Sequence, residues 1–283
     1  MSSIEFPHLG IYLNPVIRTI TVFSYPVAVY GITMALGILA GLFVASWTAK
    51  RTGQNPDDYT NIALLGTVLG LIGARTYYVA FSWEYYSAHP GEILDFRGGG
   101  LALYGSLIGA VAAVLIYCGW KHLRILPVLD TACLGMVTGQ IIGRWGNFFN
   151  REAFGEYTDN LFAMRLPIED VRADEVTQLM REHALTIDSK VFIQVHPTFL
   201  YESLWNLGVL GILMTITLKR KKRFEGEIFL LYLLFYGIGR FWIEGLRTDQ
   251  LLIPGTEIAV SQVLSALLAA AAAILIALLR RHR

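Results

Sequence analysis

The chain is 283 residues long, 54% hydrophobic and only 16% charged, with a formal net charge of +1 and a mean hydropathy of +0.50. That balance excludes an ordinary soluble domain and points to a helical protein that crosses a membrane several times. The absence of bulk basic charge and of basic tracts interleaved with aromatics argues against a nucleic-acid partner.

Taken in order, the first 23 residues carry Pro7, His8, Pro15 and Arg18 and read as an arm at the membrane interface, with no cleaved signal peptide ahead of it. Apolar windows of about twenty residues then mark seven spans, near Pro26–Ala49, Tyr59–Phe81, Leu101–Trp120, Pro127–Asn147, Pro197–Leu218, Gly226–Leu246 and Ile258–Leu279. The expectation is an all-α polytopic membrane protein of seven transmembrane helices with a small periplasmic head. Its parts are an arm over 1–23, spans one to four over 24–149, the head over 150–196, and spans five to seven over 197–283. Lys50 and Arg51, Lys121 and Arg124, the run Lys219–Arg223, and Arg280, Arg281 and Arg283 follow alternate spans, so all twelve basic residues fall on one side. The positive-inside rule makes that side cytoplasmic, with the N-terminus periplasmic and the C-terminus cytoplasmic. Residues 150–196 hold five Lys/Arg against nine Asp/Glu, the opposite balance. Within them Glu169–Leu185 reads as a short helix, charged on one side, with Val171, Val176 and Leu179 on the other.

Polar residues inside apolar spans are costly and mark function. Tyr30-Gly31 puts a hydroxyl in the first span, and Arg75 precedes Tyr77 and Tyr78 in the second. Gly98–Gly109, with Tyr104 and Ser106, opens the third span, either as an unwound or re-entrant turn or as a tightly packed helix start. The fourth span closes on Gly139–Gly155. There Arg144 and Asn147 share a helical face, Asn150 and Glu152 follow, and glycines at 139, 143 and 146 admit a close neighbour. Packing through small residues with a snorkelling arginine explains part of this pattern. Four converging polar groups favour an anion site for a lipid headgroup. His196-Pro197 sets the start of the fifth span, with Tyr201 and Glu202 following; His196 is either a titrating group or a boundary cap. Tyr236, Arg240, Glu244 and Arg247 lie on one helical stripe. Arg75, Arg144 and Arg240 outnumber the acids near them, chiefly Glu202 and Glu244, so a phosphate is the expected counter-ion for their guanidinium forks. Cys118 and Cys133 sit in apolar runs and suggest neither disulfide nor metal; no cofactor is expected.

Gly143-Arg-Trp-Gly-Asn-Phe-Phe-Asn150 with Glu152 and Gly155, His196-Pro with Tyr201-Glu202, and Tyr236-Gly with Arg240 and Glu244 resemble the prolipoprotein diacylglyceryl transferases. Tyr30-Gly31, Arg75, the glycines around Tyr104, and Ser261-Gln262 extend the resemblance over nearly the whole chain. It implies an enzyme of the bacterial inner membrane, without cofactor. Such an enzyme moves diacylglyceryl from phosphatidylglycerol to the lipobox cysteine of a prolipoprotein signal peptide and releases glycerol 1-phosphate. It further implies that Arg144 and Arg240 are essential and that Tyr30, Asn147, Glu152, Gly155, Tyr236 and Glu244 matter. Arg75 fits the same phosphatidylglycerol site, with His196, Glu202 and Asn150 in support. Where many members carry a histidine proposed as the base, this chain has Tyr104, so the resemblance supplies no histidine there. Tyr104 is expected to take a catalytic part, either donating a hydrogen bond to the phosphate or positioning the lipid, or as an acid–base group.

Other classes compete. An intramembrane hydrolase built on Ser106 wants a histidine facing it from another span, and none of the six histidines lies mid-span. A transporter or channel for an anionic solute also uses buried arginines, but the chain shows no internal repeat. A retinal-type receptor would need a lysine in the last span, which has none.

Overall fold

The computed structural model describes residues 3–95, 99–256 and 258–281. Gly98 and Arg283, which entered the reasoning above, lie outside these residues. The chain is mostly helical: α1 (Val29–Thr52), α2 (Pro56–Phe81), α3 (Trp83–Ala88), α4 (Leu103–Lys121), α5 (Ile125–Asn150), α6 (Gln178–Glu182), α7 (Thr198–Leu218), α8 (Glu227–Glu244) and α9 (Val260–Arg281). Among the described residues, six helices are long and apolar enough to cross a membrane, namely α1, α2, α4, α5, α7 and α9. The 18-residue α8 is not among them; it carries Glu227, Arg240 and Glu244.

The all-helical expectation needs correcting. Strands β1 (Ile4–Phe6) and β2 (Ile11–Leu13) from the N-terminal arm join β5 (Met164–Pro167), β6 (Leu185–Ile187) and β7 (Lys190–Val195) in one sheet. The strand order is β2-β1-β5-β7-β6. Strands β3 (Thr19–Val22) and β4 (Tyr25–Ala28) form a separate hairpin leading directly into α1. All pairs are antiparallel, with Glu5 opposite Arg165 and Met164 opposite Val195. The strands are too short to show alternation, and the β1–β5 pairing joins segments far apart in the chain.

Glu169–Leu185 is likewise not one helix. Single 3-10 turns occupy Ile168–Asp170 and Ala173–Glu175, and only Gln178–Glu182 is α-helical, capped by the Thr177 side chain on the Met180 N–H. The expected faces fail too: Met180 is fully buried and Glu175 nearly so, whereas Leu179 is exposed. Burial pushes the Glu175 carboxyl above its ordinary range, and Arg172 alongside it opposes this.

The chain divides into two compact units, one made of the residues up to Gly41 with those from Cys133 onward, the other of Leu42–Ala132. In the first unit a single apolar core takes Ile4 and Phe6 from β1, Leu166 and Ile193 from the sheet, Met180 from α6, Phe148 from the end of α5 and Phe199 from the start of α7. The sheet is therefore mounted on two long helices at one level. Arg151, one residue past α5, is buried there; it donates to the Val16 carbonyl at 2.7 Å and the Phe149 carbonyl at 3.1 Å. Gly37 and Gly41 of α1 meet Gly139 and Gly135 of α5 so closely that a Cβ on Gly41 would lie 2.5 Å from the Gly135 oxygen.

In the second unit α2 and α4 pack backbone against backbone. A Cβ on Gly105 would lie 2.2 Å from the Gly73 oxygen, and one on Gly109 would lie 2.1 Å from the Leu69 oxygen. This is small-residue helix packing, which lets helices gain dispersion contact where lipid offers no hydrophobic driving force. It decides between the alternatives for the glycine-rich stretch: α4 starts at Leu103 and runs unbroken, so Gly105 and Gly109 serve packing.

Candidate active site

The charged cluster of the first unit is built from α5, α7, α8 and the segment after α8. Glu202, four residues into α7, is its centre. One carboxylate oxygen pairs with the Arg144 Nε from α5, and the other accepts from Arg240 Nη1 of α8 at 2.8 Å. Arg240 also pairs through Nη2 with Glu244 one turn on. The stripe expected along α8 is cut short, because the helix ends at Glu244. Arg247 instead folds back from beyond the end, 3.9 Å from Glu202 and from Glu244. Its guanidinium forks onto Asp249 at 2.9 and 2.7 Å. Burial works to raise the Asp249 carboxyl, but this fork outweighs it and holds the group below the usual carboxylate range. Ser261, at the start of α9, donates to Glu244 at 2.5 Å.

Three guanidiniums (Arg144, Arg240, Arg247) therefore face three carboxylates (Glu202, Glu244, Asp249). The expected surplus of positive charge is not present within this cluster, because Asp249 joins it. Arg75 belongs to the second unit, where its donors go to backbone: Nε to the Ile93 carbonyl at 2.8 Å, Nη1 to Gly99 at 2.9 Å and Gly100 at 3.1 Å, Nη2 to Glu92 at 2.5 Å. Tyr86 lies against the guanidinium, 5.1 Å from ring centre. These bonds tie Arg75 to the backbone at Glu92, Ile93, Gly99 and Gly100. Tyr104 is also in the second unit, at the second position of α4, half-exposed, its ring 6.4 Å from that of Tyr77.

The other expected residues gather around the cluster or beside it. Asn147, three residues past Arg144, donates to Glu152 at 3.0 Å, and Glu152 lies 3.6 Å from Arg172. Asn150 is the last residue of α5, and Arg151 and Ala153 on either side of Glu152 are both left-handed. That pair of turns carries the chain from α5 to Gly155. Gly155 donates its N–H to the His196 carbonyl and bridges to Arg247; a Cβ there would lie 2.6 Å from the Leu246 oxygen. Its smallness is what lets the segment after α8, with Arg247, close against the end of α5. Tyr30 lies against Gly146, where a Cβ would come within 2.8 Å of the ring. Tyr236 stacks on Tyr232, ring centres 5.6 Å apart. It also lines a small cavity of about 10 Å³ with Glu202, Trp205, Gly239 and Arg240; that is room for about one water. His196 lies 3.2 Å through Nδ1 from the Tyr201 hydroxyl, which also accepts from Asn160 at 3.0 Å. Burial lowers the His196 imidazole below its ordinary range, against a smaller opposing influence of Glu156. Pro197 caps α7 from one position outside the expected first turn.

The geometry is that of a polytopic helical membrane protein in which arginines from different helices converge on one buried carboxylate. Residues 15–278 match the family described as prolipoprotein diacylglyceryl transferase. Relatives named phosphatidylglycerol–prolipoprotein diacylglyceryl transferase include one from Clostridioides difficile, 42% identical over 82% of this chain and 84% of its own. Others come from Bacillus licheniformis, at 39% over 89% and 88%, and Finegoldia magna, at 40% over 87% and 88%. The chain belongs to the prolipoprotein diacylglyceryl transferase family and is a transferase, which displaces the transporter reading.

Proposed function

We propose that this protein transfers the diacylglyceryl group of phosphatidylglycerol to the lipobox cysteine of a prolipoprotein signal peptide, forming a thioether and releasing glycerol 1-phosphate. Sulfur attacks the glyceryl carbon that bears the phosphate ester, and the phosphate leaves with the electron pair of the broken C–O bond. The enzyme needs no nucleophile of its own for this; Cys118 and Cys133 are buried. It needs fixed positive charge where the leaving phosphate gathers charge. The convergence of Arg144 and Arg240 on Glu202 carries the reading, because two guanidiniums from different helices that share one carboxylate are spaced to share one phosphate. Glu244 and Ser261 hold Arg240 in place, and Gly155 lets Arg247 close the outer end. Asn147, Glu152, Tyr30 and Tyr236 shape the surroundings of the headgroup. The site lies in the bilayer of the inner membrane, which keeps water from the ester.

The topology belongs to this reading: seven spans with α8 as the sixth, the arm and residues 150–196 forming one periplasmic head, and the C-terminus in the cytoplasm. An α8 with three charged residues is stable in lipid because each is paired, Arg240 with Glu202 and Glu244, and Glu227 with Arg280 at 2.6 Å.

The test is a reconstitution in phosphatidylglycerol vesicles with a lipobox peptide, scored by the mass of a diacylglyceryl adduct. The wild type should form the adduct, and Arg144→Ala and Arg240→Ala should abolish it while remaining in the membrane. Wild-type turnover by either variant would remove the phosphate site.

A further inference from the structure

The cluster holds as many carboxylates as guanidiniums, so the guanidiniums that are to take a phosphate already have a carboxylate in place. Glu202 occupies both oxygens on them, one on Arg144 and one on Arg240, and its side chain is only 6% exposed. A phosphate reaching both arginines must take these contacts from Glu202. What faces Glu202 is Arg144 from α5, Arg240 from α8 and Arg247 from beyond α8, with Tyr236 lining the adjoining cavity. Once the first two pair with phosphate, a buried carboxylate is left with far less positive charge around it. That state is costly for the ionised form and cheap for the protonated one.

We infer that Glu202 is the proton acceptor of the transfer: in the resting enzyme it stands in for the phosphate on Arg144 and Arg240, and phosphatidylglycerol displaces it and turns it into a base for the substrate thiol. This rests on the proposed phosphate site. The cysteine S–H gives its proton to a Glu202 oxygen. The sulfur electron pair forms the S–C bond, the C–O bond to phosphate breaks, and the phosphate monoester takes that bond's electron pair. The negative charge that Glu202 gives up on taking the proton passes through the thiolate sulfur to the leaving phosphate, while the proton stays on Glu202. Loss of that proton to water then restores the carboxylate, which competes for its two arginines and helps to expel glycerol 1-phosphate. The step supplies a base without a histidine at position 104.

Glu202→Gln keeps the size and the hydrogen-bond acceptor but removes both the competing charge and the base. Full-length protein in nanodiscs is titrated with glycerol 1-phosphate, and turnover of a lipobox peptide is followed against pH. Glu202→Gln should bind glycerol 1-phosphate at least as tightly as wild type, about tenfold tighter if the carboxylate is a full competitor. Its kcat should fall by about 10² or more, the usual loss of a general base. The residual rate should climb about tenfold per pH unit toward the ordinary thiol value near 8.5, because solvent must then take the proton. Glu202→Asp, which keeps a base, should retain more kcat than the amide; this arm holds even if the amide variant folds poorly. A wild-type kcat in Glu202→Gln, or equal losses of kcat and glycerol 1-phosphate affinity in folded Glu202→Gln, overturns the inference. If wild-type protein shows no glycerol 1-phosphate binding that Arg144→Ala or Arg240→Ala weakens, the phosphate site itself fails, and the inference with it. Normal wild-type binding that Glu202→Gln weakens sinks the inference alone.

Discussion

Arg144 and Arg240 spend their guanidiniums differently, and the difference sets what a lysine can replace. Arg144 reaches Glu202 through Nε alone, whereas Arg240 bridges two carboxylates, Nη1 on Glu202 and Nη2 on Glu244. A lysine ammonium is a point charge and cannot hold both ends of that bridge. Arg240→Lys should therefore lose about 10²-fold or more in kcat/KM, on the scale of one lost transition-state donor. Arg144→Lys should lose less. Side-by-side turnover of the two variants in phosphatidylglycerol vesicles measures this; equal losses would mean that the bridge to Glu244 plays no part. Much of this cluster was legible in the sequence, because an arginine or glutamate in an apolar span must be paired, and a spacing of four puts Arg240 and Glu244 together. Asp249 was not, since a loop acid two residues after Arg247 looks like any solvated charge until the fold sets it in the fork of Arg247. Arg151 was missed inside the motif itself. Its neighbours Asn150 and Glu152 drew attention as polar groups, while Arg151 turns inward to the Val16 carbonyl across 135 positions of chain.

The helices show which kinds of element can be read ahead of a structure. Long apolar windows identified α1, α2, α4, α5, α7, α8 and α9 to within a few residues, since each owes its position to composition over some twenty residues. The head could not be read this way. β1 has three residues, its partner β5 lies about 160 residues on, and the apolar side chains of the arm find their core only when both segments arrive. The glycines of α4 fall between these cases, because spacing showed that something comes close without showing what. Backbone contact with α2 gives a direct prediction. A methyl group on Gly109 would lie 2.1 Å from a carbonyl oxygen, and rigid backbone cannot yield as a side chain can. Gly109→Ala should destabilise by about 1–3 kcal/mol, the cost of overpacking. Gly119→Ala in the same helix faces open space and should be neutral or slightly stabilising. Thermal unfolding in detergent separates them; a Gly109→Ala variant as stable as Gly119→Ala would mean that the α2–α4 seam opens at little cost.

At the scale of the whole molecule the polarity of one helix decides where the chemistry happens. α7 has 21 residues, which at 1.5 Å each span about 32 Å, close to the hydrocarbon thickness of a bilayer. Its first turn carries Phe199 into the core of the head and Glu202 into the arginine cluster. Its last residue, Leu218, leads directly into the basic run Lys219–Arg223. At that same end the Arg223 N–H pairs with Glu227, and Glu227 binds Arg280 from the end of α9 at 2.6 Å, so the basic ends are held together. Crossing the membrane, α7 must leave the head and this basic end on opposite sides, and positive residues are retained in the cytoplasm. On the proposed topology the arginine cluster sits at the periplasmic level, where a translocated lipobox cysteine would be presented. The turn between β6 and β7, at Asp188, is exposed, as is Lys221. Cysteines placed at these two positions report the orientation against little background, since Cys118 and Cys133 are buried. In intact spheroplasts an impermeant maleimide should label Asp188→Cys at once and Lys221→Cys only after the membrane is opened. The opposite pattern would put the site on the cytoplasmic leaflet, where the arginines would meet phosphatidylglycerol but no exported thiol.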